Sequence, residues 1–429
     1  MVDKNSLNIL LEFLELFAKD KPIKLDEYRK NSIFFHYYNE IVRYWNLLNY
    51  IMKKTHRAMG LKNELSLSEE VRHIYATYRF KFESSQQENV VKEFDSTVRE
   101  QIRVYLNKLK TFSLDRALRN KSEREKLSIV EAFPSFFIEH LLPVISLKFL
   151  KDNIHYMNNQ QRKGYFFIRE AMKSHVENFL TARNIKYKKD GVVEGLYQVP
   201  IQYKKEIIRS ESFKQGNIIL QDKSSVSVVN LLDPRPNELI CDICAAPGMK
   251  TTLIAQYSDY SSRIIALDFS LIRIKQFKGL KNHNNPLNLF LLNTDSIKIP
   301  IRPEIKFDKI LLDAPCTGSG ALGPHPELKR RQSISFLFQN SVIQNKLLNT
   351  SLSLLKKNGI LVYSTCSLYP EEGEYQIKKI LNQVTPLEIP SWFSPSYRIN
   401  GKKIPGAGRL FPSIHESQGF FIGKYQKKE

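Results

Sequence analysis

Two cysteines stand in short motifs that could carry nucleophilic chemistry. Cys316 belongs to the segment 313–320, Asp-Ala-Pro-Cys-Thr-Gly-Ser-Gly, and Cys366 belongs to the segment 364–367, Ser-Thr-Cys-Ser. Each motif follows a short apolar run that predicts a β-strand. A free cysteine is most often a small buried apolar residue. Because ligands of an open α/β sheet bind at the carboxyl ends of its strands, the position of both motifs nevertheless favours catalysis.

A third motif predicts a ligand-binding turn. The segment 239–251 reads Leu-Ile-Cys-Asp-Ile-Cys-Ala-Ala-Pro-Gly-Met-Lys-Thr, so small residues separate an apolar run from a helical pattern. Between a strand and a helix, such a turn lets a ligand approach the backbone, and the helix offers it free N–H groups. The turn is neither the G-x-G-x-x-G dinucleotide fingerprint nor a Walker A loop. By itself it indicates either a cofactor site of another kind or a structural connection.

Acidic residues follow two more predicted strands. Asp268 follows the predicted strand 264–267, the position from which a carboxylate can accept both hydroxyls of a ribose. Asp295 follows the predicted strand 287–292, where it would reach the edge of an adenine. A single acid at a strand end is often only a helix cap. Repeated in register beside a turn of small residues, these acids predict a nucleoside-binding site.

Together these motifs resemble those of the Sun-type, RsmB-like family of S-adenosylmethionine-dependent RNA cytosine-C5 methyltransferases. The resemblance rests on the segments 244–250, 313–316 and 365–366 and extends over most of the chain. It implies S-adenosylmethionine as the cofactor and RNA as the partner. The residues that it implies for cofactor binding are Cys244, Ala245, Ala246, Pro247, Gly248, Met249, Lys250, Asp268, Arg273, Asp295 and Asp313.

The resemblance also implies a covalent mechanism. Cys366 is the implied nucleophile, because a thiolate that adds to C6 of cytosine breaks the aromaticity and makes C5 able to accept a methyl group. Cys316 would help to release the product. Asp313 would hydrogen-bond the base near N3, and Lys250 would orient that acid or lower the thiol pKa. The target base must leave its stack. DNA enzymes use the cysteine of the Pro-Cys motif as the nucleophile, so the second cysteine after threonine favours RNA.

Two features depart from the family pattern. Met249 stands where the family usually has a second glycine, which predicts retained but weaker cofactor binding. After Gly320, the usual Arg-Arg pair is replaced by the segment 322–327, and Lys-Arg-Arg follows at 329–331. This departure leaves open which residues position the RNA.

The N-terminal region predicts a helical bundle. Its first 133 residues contain one glycine and one proline. Apolar residues recur on one face over 7–17 and again over 34–52, with Ser32 as the predicted N-cap of the second run. Ser66 and Glu69 predict a capping box at the start of a further helix.

The order of the elements and the resemblance predict a multidomain fold. It comprises an all-α NusB-like RNA-binding bundle at 1–150, a small α/β RRM-like subdomain at 151–215 and a Rossmann-like methyltransferase domain at 216–429. In the last domain, strands alternate with helices, which predicts a mostly parallel sheet. The predicted strands are 165–169, 196–199, 264–267, 287–292, 309–312 and 360–363, with a helix at 172–183 and, by resemblance, a last core strand at 414–422.

Charge indicates the class of partner. A formal net charge of +21 and a pI near 9.6 favour nucleic acid, because affinity grows with each phosphate neutralised. A solubility bias or a basic proteome is the alternative. No apolar run approaches the roughly 20 residues of a membrane span, and the N-terminus lacks the order of a signal peptide. We expect a monomeric, cytoplasmic protein with no membrane contact.

The remaining alternatives concern the cysteines and the substrate. The sequence has 4 cysteines, and Cys241 and Cys244 are the candidates for a zinc or redox site. A zinc site would need a second closely spaced pair, which the sequence lacks, so we expect no metal. A redox site would need a reversible disulfide. A non-catalytic RNA-binding assembly factor is the alternative of another class, and the intact Cys316, Cys366 and Asp313 disfavour it. The three-part layout favours ribosomal RNA as the substrate, with transfer RNA second.

Overall fold

The computed structural model describes residues 3–21, 31–61, 65–159, 163–168, 172–284, 288–302 and 304–429. The chain groups into two compact units. The first is formed by Met1–Asn158 with Leu322–Gln332, and the second by Asn159–Ala321 with Ser333–Glu429. The predicted division into three domains is not tested by this grouping and stays a prediction.

The first unit is helical, as predicted. The faces predicted to be apolar are buried: Leu10 and Leu14 on the first helix, Ile41 on the second and Leu48 on the third are 0% exposed. The helices in its described residues are α1 Lys4–Ala18, α2 Ser32–Arg43, α3 Trp45–Ala58, α4 Leu67–Lys81, α5 Gln87–Glu93, α6 Arg99–Lys110, α7 Leu114–Leu118, α8 Glu123–Val130, α9 Ser135–Leu141 and α10 Leu147–Asn159.

Two helix starts show how capping residues set the boundaries. The predicted capping box is confirmed, since the Ser66 N–H donates to Glu69 at 2.8 Å and the Glu69 N–H donates to the Ser66 hydroxyl at 3.4 Å. The predicted cap Ser32 is wrong. The N-cap of α2 is Asn31, whose side chain accepts from the Phe34 N–H at 3.0 Å. Asparagine and serine are equally good N-caps, so two such neighbours cannot be separated by type.

The segment Leu322–Gln332 packs with the first unit although it lies far along the chain. It contains the 3-10 helix Pro326–Arg331. The Arg43 guanidinium donates to the Gly323 carbonyl at 2.8 Å, and the Lys329 amine donates to the Arg43 carbonyl at 2.9 Å. Paired bonds in opposite directions therefore hold this segment against α2.

The second unit contains a small antiparallel sheet of order β2-β3-β1-β4. Its strands and helices are β1 Lys163–Ile168, α11 Lys173–Ala182, β2 Lys188–Lys189, β3 Leu196–Pro200, α12 Lys204–Arg209, α13 Glu211–Lys214 and β4 Ile218–Leu220. Phe166, Val176 and Tyr197 form part of its core. Of the predicted strand 165–169, Arg169 lies outside the described residues. The NusB-like and RRM-like assignments stay predictions.

A second sheet in the same unit has nine strands in the order β11-β12-β13-β9-β8-β5-β6-β7, with β10 beside β13. Strands β5 to β9 pair in parallel, and the strands from β10 onwards pair antiparallel, so the predicted Rossmann-like, mostly parallel sheet is present. Its strands are β5 Leu239–Ile243, β6 Arg263–Asp268, β7 Leu289–Asn293, β8 Phe307–Asp313, β9 Leu355–Thr365, β10 Val384–Pro386, β11 Ser394–Pro395, β12 Ala407–Leu410 and β13 Phe420–Lys427.

Helices accompany this sheet. One of them overlaps the start of the predicted last strand 414–422, so the predicted start of that strand is wrong. Residues 412–415 form a short helix, and the strand begins only at Phe420. Pro412 and the backbone hydrogen bonds of this helix turn the chain before the strand starts. The other predicted strands are confirmed; residue 287 of one lies outside the described residues. The helices are α14 Lys223–Leu232, α15 Met249–Tyr257, α16 Leu271–Asn284, α17 Ile334–Leu354, α18 Glu374–Lys378 and α19 Pro412–His415. No helix in the described ranges has the length and apolar character to cross a bilayer.

Candidate active site and cofactor site

The predicted motifs meet at one edge of the nine-stranded sheet. The neighbouring strands β9, β8, β5 and β6 run parallel, so their carboxyl ends lie side by side. Asp268 is the last residue of β6, Asp313 is the last residue of β8, and Cys366 directly follows β9. The small-residue turn directly follows β5. Sheet topology therefore brings together motifs that are far apart in the sequence.

The turn after β5 has a backbone that only certain residues allow. Gly248 has φ +101°, and a Cβ at this position would lie 2.2 Å from the ring of Phe277, so any side chain would clash. Cys244 also has a positive φ of 66°. The Ala245 N–H donates to the Leu267 carbonyl at 2.8 Å, which holds the turn against β6. Met249 is the first residue of α15, where no glycine conformation is required.

Asp268 is held in place by the same turn. One carboxylate oxygen accepts from the Ala246 N–H at 3.1 Å and the other accepts from the Ser270 N–H at 2.8 Å. Arg273 lies 3.3 Å from the first of these oxygens, so both predicted residues face each other. The carboxylate retains lone pairs that these bonds leave open.

Asp295 is placed differently from the other predicted cofactor residues. It is exposed, and its side chain accepts from the Ile297 N–H at 2.9 Å, as in a local turn. Within the described residues, no direct bond joins it to the remaining predicted site residues. Phe269, which the sequence analysis did not single out, is 78% exposed directly after Asp268. An aromatic ring so exposed beside a site is a feature that a flat ligand would cover.

Asp242, on β5, is a further residue that the motif analysis did not assign. It is 1% exposed, one oxygen accepts from the Thr251 hydroxyl at 2.6 Å, and the other has no hydrogen-bond partner among the described residues. Burial raises the pKa of this carboxyl from 3.8 to about 7. The only sequence signal was an acid within an otherwise apolar run.

Asp313 is fixed at both of its oxygens. Lys250 donates to one at 2.6 Å and the Ser364 hydroxyl donates to the other at 2.7 Å. Burial works against the Lys250 charge, but the Asp313 carboxylate outweighs it and the pKa of Lys250 is raised. The pair therefore carries one positive and one compensating negative charge at the edge of the site.

The two cysteines lie in direct contact. The Cys316 and Cys366 sulfurs are 3.2 Å apart, and both residues are free thiols. The neighbouring Cys366 thiol and burial raise the pKa of Cys316 well above its ordinary value. The contact and the burial therefore oppose the loss of a proton from Cys316.

Glu372 ties the loops of the two cysteines together. Its carboxylate accepts from the Thr317 N–H at 2.9 Å, from the Thr317 hydroxyl at 2.5 Å and from Gln344 at 3.0 Å. Its backbone carbonyl accepts from the Thr365 hydroxyl at 3.2 Å. Burial raises the pKa of this carboxyl. The residue thus holds the neighbours of both cysteines, a role that no sequence motif indicated.

A buried ion pair supports the Cys366 loop from behind. Arg409 is 0% exposed; it donates to Glu374 at 2.7 Å and to the carbonyls of Ser367 and Tyr369 at 3.0 and 3.3 Å. On the other side, the Gly320 N–H donates to the Cys366 carbonyl at 3.0 Å.

Among the described residues, neither Cys241 nor Cys244 bonds to Cys316 or Cys366. Cys241 is buried on β5, and Cys244 lies in the turn that follows β5. Burial raises the pKa of both thiols. In the part of the chain that the structure describes, no cluster of three or more histidine, cysteine or acidic residues could hold a metal ion.

Known proteins resemble this chain in sequence and in fold. A family model described as 16S rRNA methyltransferase RsmB/F matches residues 229–426. The tRNA (cytosine(72)-C(5))-methyltransferase of Pyrococcus horikoshii is 36% identical over 217 residues, 51% of this chain and 54% of the relative. The probable ribosomal RNA small subunit methyltransferase B of a Synechocystis species is 33% identical over 227 residues, 52% of this chain and 50% of the relative.

The chain thus spans about half the length of the curated relatives it matches. The crystal structure of PH0851 has the same fold, with a TM-score of 0.79 at 24% identity over 100% of this chain and 99% of that chain.

Proposed function

Since residues 229–426 carry a domain of the RsmB/F methyltransferase family, we propose that the protein transfers a methyl group from S-adenosylmethionine to C5 of a cytosine in RNA. The resemblance predicted from the motifs is confirmed by this match, and S-adenosylmethionine is the cofactor that the family implies. The observation that carries the proposal is the contact between the Cys316 and Cys366 thiols, 3.2 Å apart, next to the Lys250–Asp313 pair.

The residues at the sheet edge fit the proposed cofactor. When bound, S-adenosylmethionine supplies a methyl group on a positively charged sulfur. The glycine at 248 leaves a close approach to the backbone. Asp268 offers lone pairs to ribose hydroxyls, Phe269 offers an exposed ring to an adenine, and Asp242 brings a buried oxygen that has no partner among the described residues. Arg273, Asp295 and the turn residues 244–250 complete the proposed set.

Cys366 is the proposed nucleophile. Its Sγ forms a bond to C6 of the cytosine, and the displaced electron pair moves toward C5 and N3. C5 would then form the new bond to the methyl carbon as the bond from that carbon to the cofactor sulfur breaks, with its electron pair kept by the sulfur. The proton on C5 is then lost to a base, and the Sγ–C6 bond breaks to restore the aromatic ring. The order of the two roles rests on the resemblance of the motifs 313–316 and 365–366 to those of the family.

The other residues of the site have supporting roles in this proposal. In this proposal Asp313, which Lys250 and Ser364 hold, hydrogen-bonds the base near N3 while the adduct exists. Cys316 assists the release of the product, since its sulfur touches the attacking sulfur. A base in this position must be unstacked, so the substrate is single-stranded or locally flipped.

Ribosomal RNA is our first proposed substrate because of the three-part layout of the chain. Transfer RNA is a second candidate, which the 36% identical relative favours. The monomeric state and the cytoplasmic location stay predictions.

The test is to trap the covalent adduct. Unmodified transcripts of small-subunit rRNA and of tRNA are incubated with S-adenosylmethionine and the Cys316→Ala, Cys366→Ala or Cys241→Ala variant, then separated on a denaturing gel. We expect an adduct with Cys316→Ala, none with Cys366→Ala, and methyl transfer without an adduct for the Cys241→Ala control.

An adduct that requires Cys316 and survives loss of Cys366 would reverse the two roles. If no variant traps RNA and the wild type transfers no methyl group, the protein is an RNA-binding assembly factor instead. The RNA that is trapped identifies the substrate class.

A further inference from the structure

A groove of about 670 Å³ lies on the surface of the helical unit, and none of the proposed catalytic or cofactor residues lines it. One wall is a face of α3 on which polar residues recur at helical spacing. The second wall comes from residues 128–136 and from the segment Leu322–Gln332. The lining residues on α3 are Asn46, Asn49, Tyr50, Lys53, Lys54 and Arg57. Along the helix axis these residues extend over about 16 Å, at 1.5 Å per residue.

The lining is strongly basic. Besides the three cations of α3 it includes Lys121 and Arg330, and also Lys329, whose burial lowers the pKa of its amine; the described lining residues include no aspartate or glutamate. Lys53 and Arg57 are exposed and Lys54 is partly exposed. Over the described ranges, no carboxylate pairs with these three, whereas Lys121 is paired with Glu125 at 2.7 Å. The α3 cations are therefore uncompensated, which attracts an anion.

The segment Leu322–Gln332 is fixed at this groove. The amine of the buried Lys329 donates to Asn158 at 3.1 Å and lies 4.0 Å from the centre of the Phe133 ring. Arg330, the next residue, remains exposed at the rim; it donates to the Ala18 carbonyl and lies 5.6 Å from the centre of the Phe17 ring. Of the Lys-Arg-Arg sequence that replaces the family's usual arginine pair, Arg330 thus adds an exposed cation to the groove.

Uncharged groups accompany the cations. Asn46 and Asn49 carry amide donors and acceptors, Tyr50 donates its hydroxyl to the Ala117 carbonyl at 2.9 Å and keeps acceptor capacity, and Phe136 is a partly exposed ring. Cations, amides and an aromatic ring in one groove match phosphates, sugar hydroxyls and base faces. An acidic peptide would also bind the cations and the amides, but it carries no base to stack on the ring.

We propose that this groove is a docking site for the sugar-phosphate backbone of the RNA substrate, with Lys53, Lys54 and Arg57 in contact with phosphates. The identity of the polyanion as RNA rests on the proposed function. Each phosphate contact to a single strand contributes about 0.7 to the slope of log K against log salt, so three contacts contribute about 2 to this slope. At 0.15 M salt, a slope of this size corresponds to about 50-fold in the binding affinity.

The experiment compares two triple variants of the full chain. The first replaces Lys53, Lys54 and Arg57 by glutamine. The control replaces Lys92, Lys108 and Lys110 by glutamine. These lysines lie on α5 and α6 outside the groove, and the net charge changes by the same amount in both variants. Binding of labelled, unmodified tRNA and rRNA transcripts is measured without cofactor between 0.05 and 0.3 M salt, after thermal unfolding has shown that both variants are folded.

We expect the groove variant to bind about 50-fold more weakly at 0.15 M salt with a slope reduced by about 2, and the control to bind nearly as the wild type does. Equal losses of RNA affinity in both variants would mean that binding depends only on net charge. An unchanged affinity in the groove variant would mean that the groove binds an acidic protein instead of RNA. Either result overturns the proposal.

Methyl transfer to the same transcripts separates this proposal from the function it rests on. If the wild type binds RNA but transfers no methyl group, the proposed function fails while the binding comparison still tests the groove. If the wild type transfers methyl groups and the groove variant keeps the same KM, the groove proposal fails and the function stands. We expect a raised KM with kcat nearly unchanged.

Discussion

Replacing Asp242 by asparagine tests the electrostatics of the cofactor turn. Burial raises the pKa of this carboxyl from 3.8 to about 7, and one of its oxygens has no partner among the described residues. The folded protein therefore holds this proton more tightly than the unfolded chain does. The stability that this group contributes is fully present below pH 3.8 and is lost as the pH rises through about 7.

The magnitude follows from the difference between the two pKa values. At about 1.4 kcal/mol per pKa unit, the whole effect is on the order of 4 kcal/mol, and about 3 kcal/mol of it falls between pH 5 and pH 8. Domains are stable by only about 5 to 15 kcal/mol in total, so this change is measurable. We expect the wild type to lose about 3 kcal/mol more than Asp242→Asn over this range, because the amide does not titrate.

The assay is urea unfolding of the cofactor-free protein at pH 5 and pH 8, followed by fluorescence. Asp308→Asn is the matched control on β8. Although burial opposes it, bonds from Lys356 and from the Leu239 N–H lower the pKa of Asp308, so this carboxylate stays ionised above pH 5. The control should keep the wild-type pH dependence. An Asp242→Asn variant with the same pH dependence as the wild type would refute the reasoning.

Three further predictions concern the support of the site. Arg409→Met should lower the free energy of unfolding by about 3 to 5 kcal/mol, because Glu374 is left buried without its partner. The double variant with Glu374→Gln should recover part of that loss in urea unfolding, and no recovery would contradict the pairing. Lys250→Met should lower kcat for methyl transfer about 100-fold by releasing Asp313, whereas Lys250→Arg should lower it less. Phe269→Ala should raise the cofactor Kd about 10-fold by calorimetry, since a stacked ring contributes about 1 to 3 kcal/mol; an unchanged Kd would remove Phe269 from the site.

The positions of the two thiols have a mechanistic consequence. Glu372 bonds to Thr317 beside one cysteine and to Thr365 beside the other, and Arg409 holds the carbonyls that follow Cys366. The sulfurs are therefore set by buried bonds from elements that carry no chemistry themselves. A reaction in which one sulfur attacks and the other assists release depends on such fixed spacing.

The local pattern of the sequence determined the elements. Apolar spacing indicated the buried faces of α1 to α3 and most strands of the parallel sheet, and residue types indicated the capping box at Ser66, because these features depend on residues within a few positions of one another. The resemblance of the motifs to a family identified both cysteines. Where two neighbouring residues satisfy the same local rule, as Asn31 and Ser32 do, the pattern could not choose.

Only the tertiary structure decided which distant residues meet. Strand order brings the Cys316 and Cys366 sulfurs to 3.2 Å although 50 residues separate them. Burial, which no single segment determines, raises the pKa of Asp242, and long-range packing places Leu322–Gln332 with the helical unit. These features depend on the free energy of the whole packed chain, in which solvent exclusion and partners from other elements set each charge and each contact.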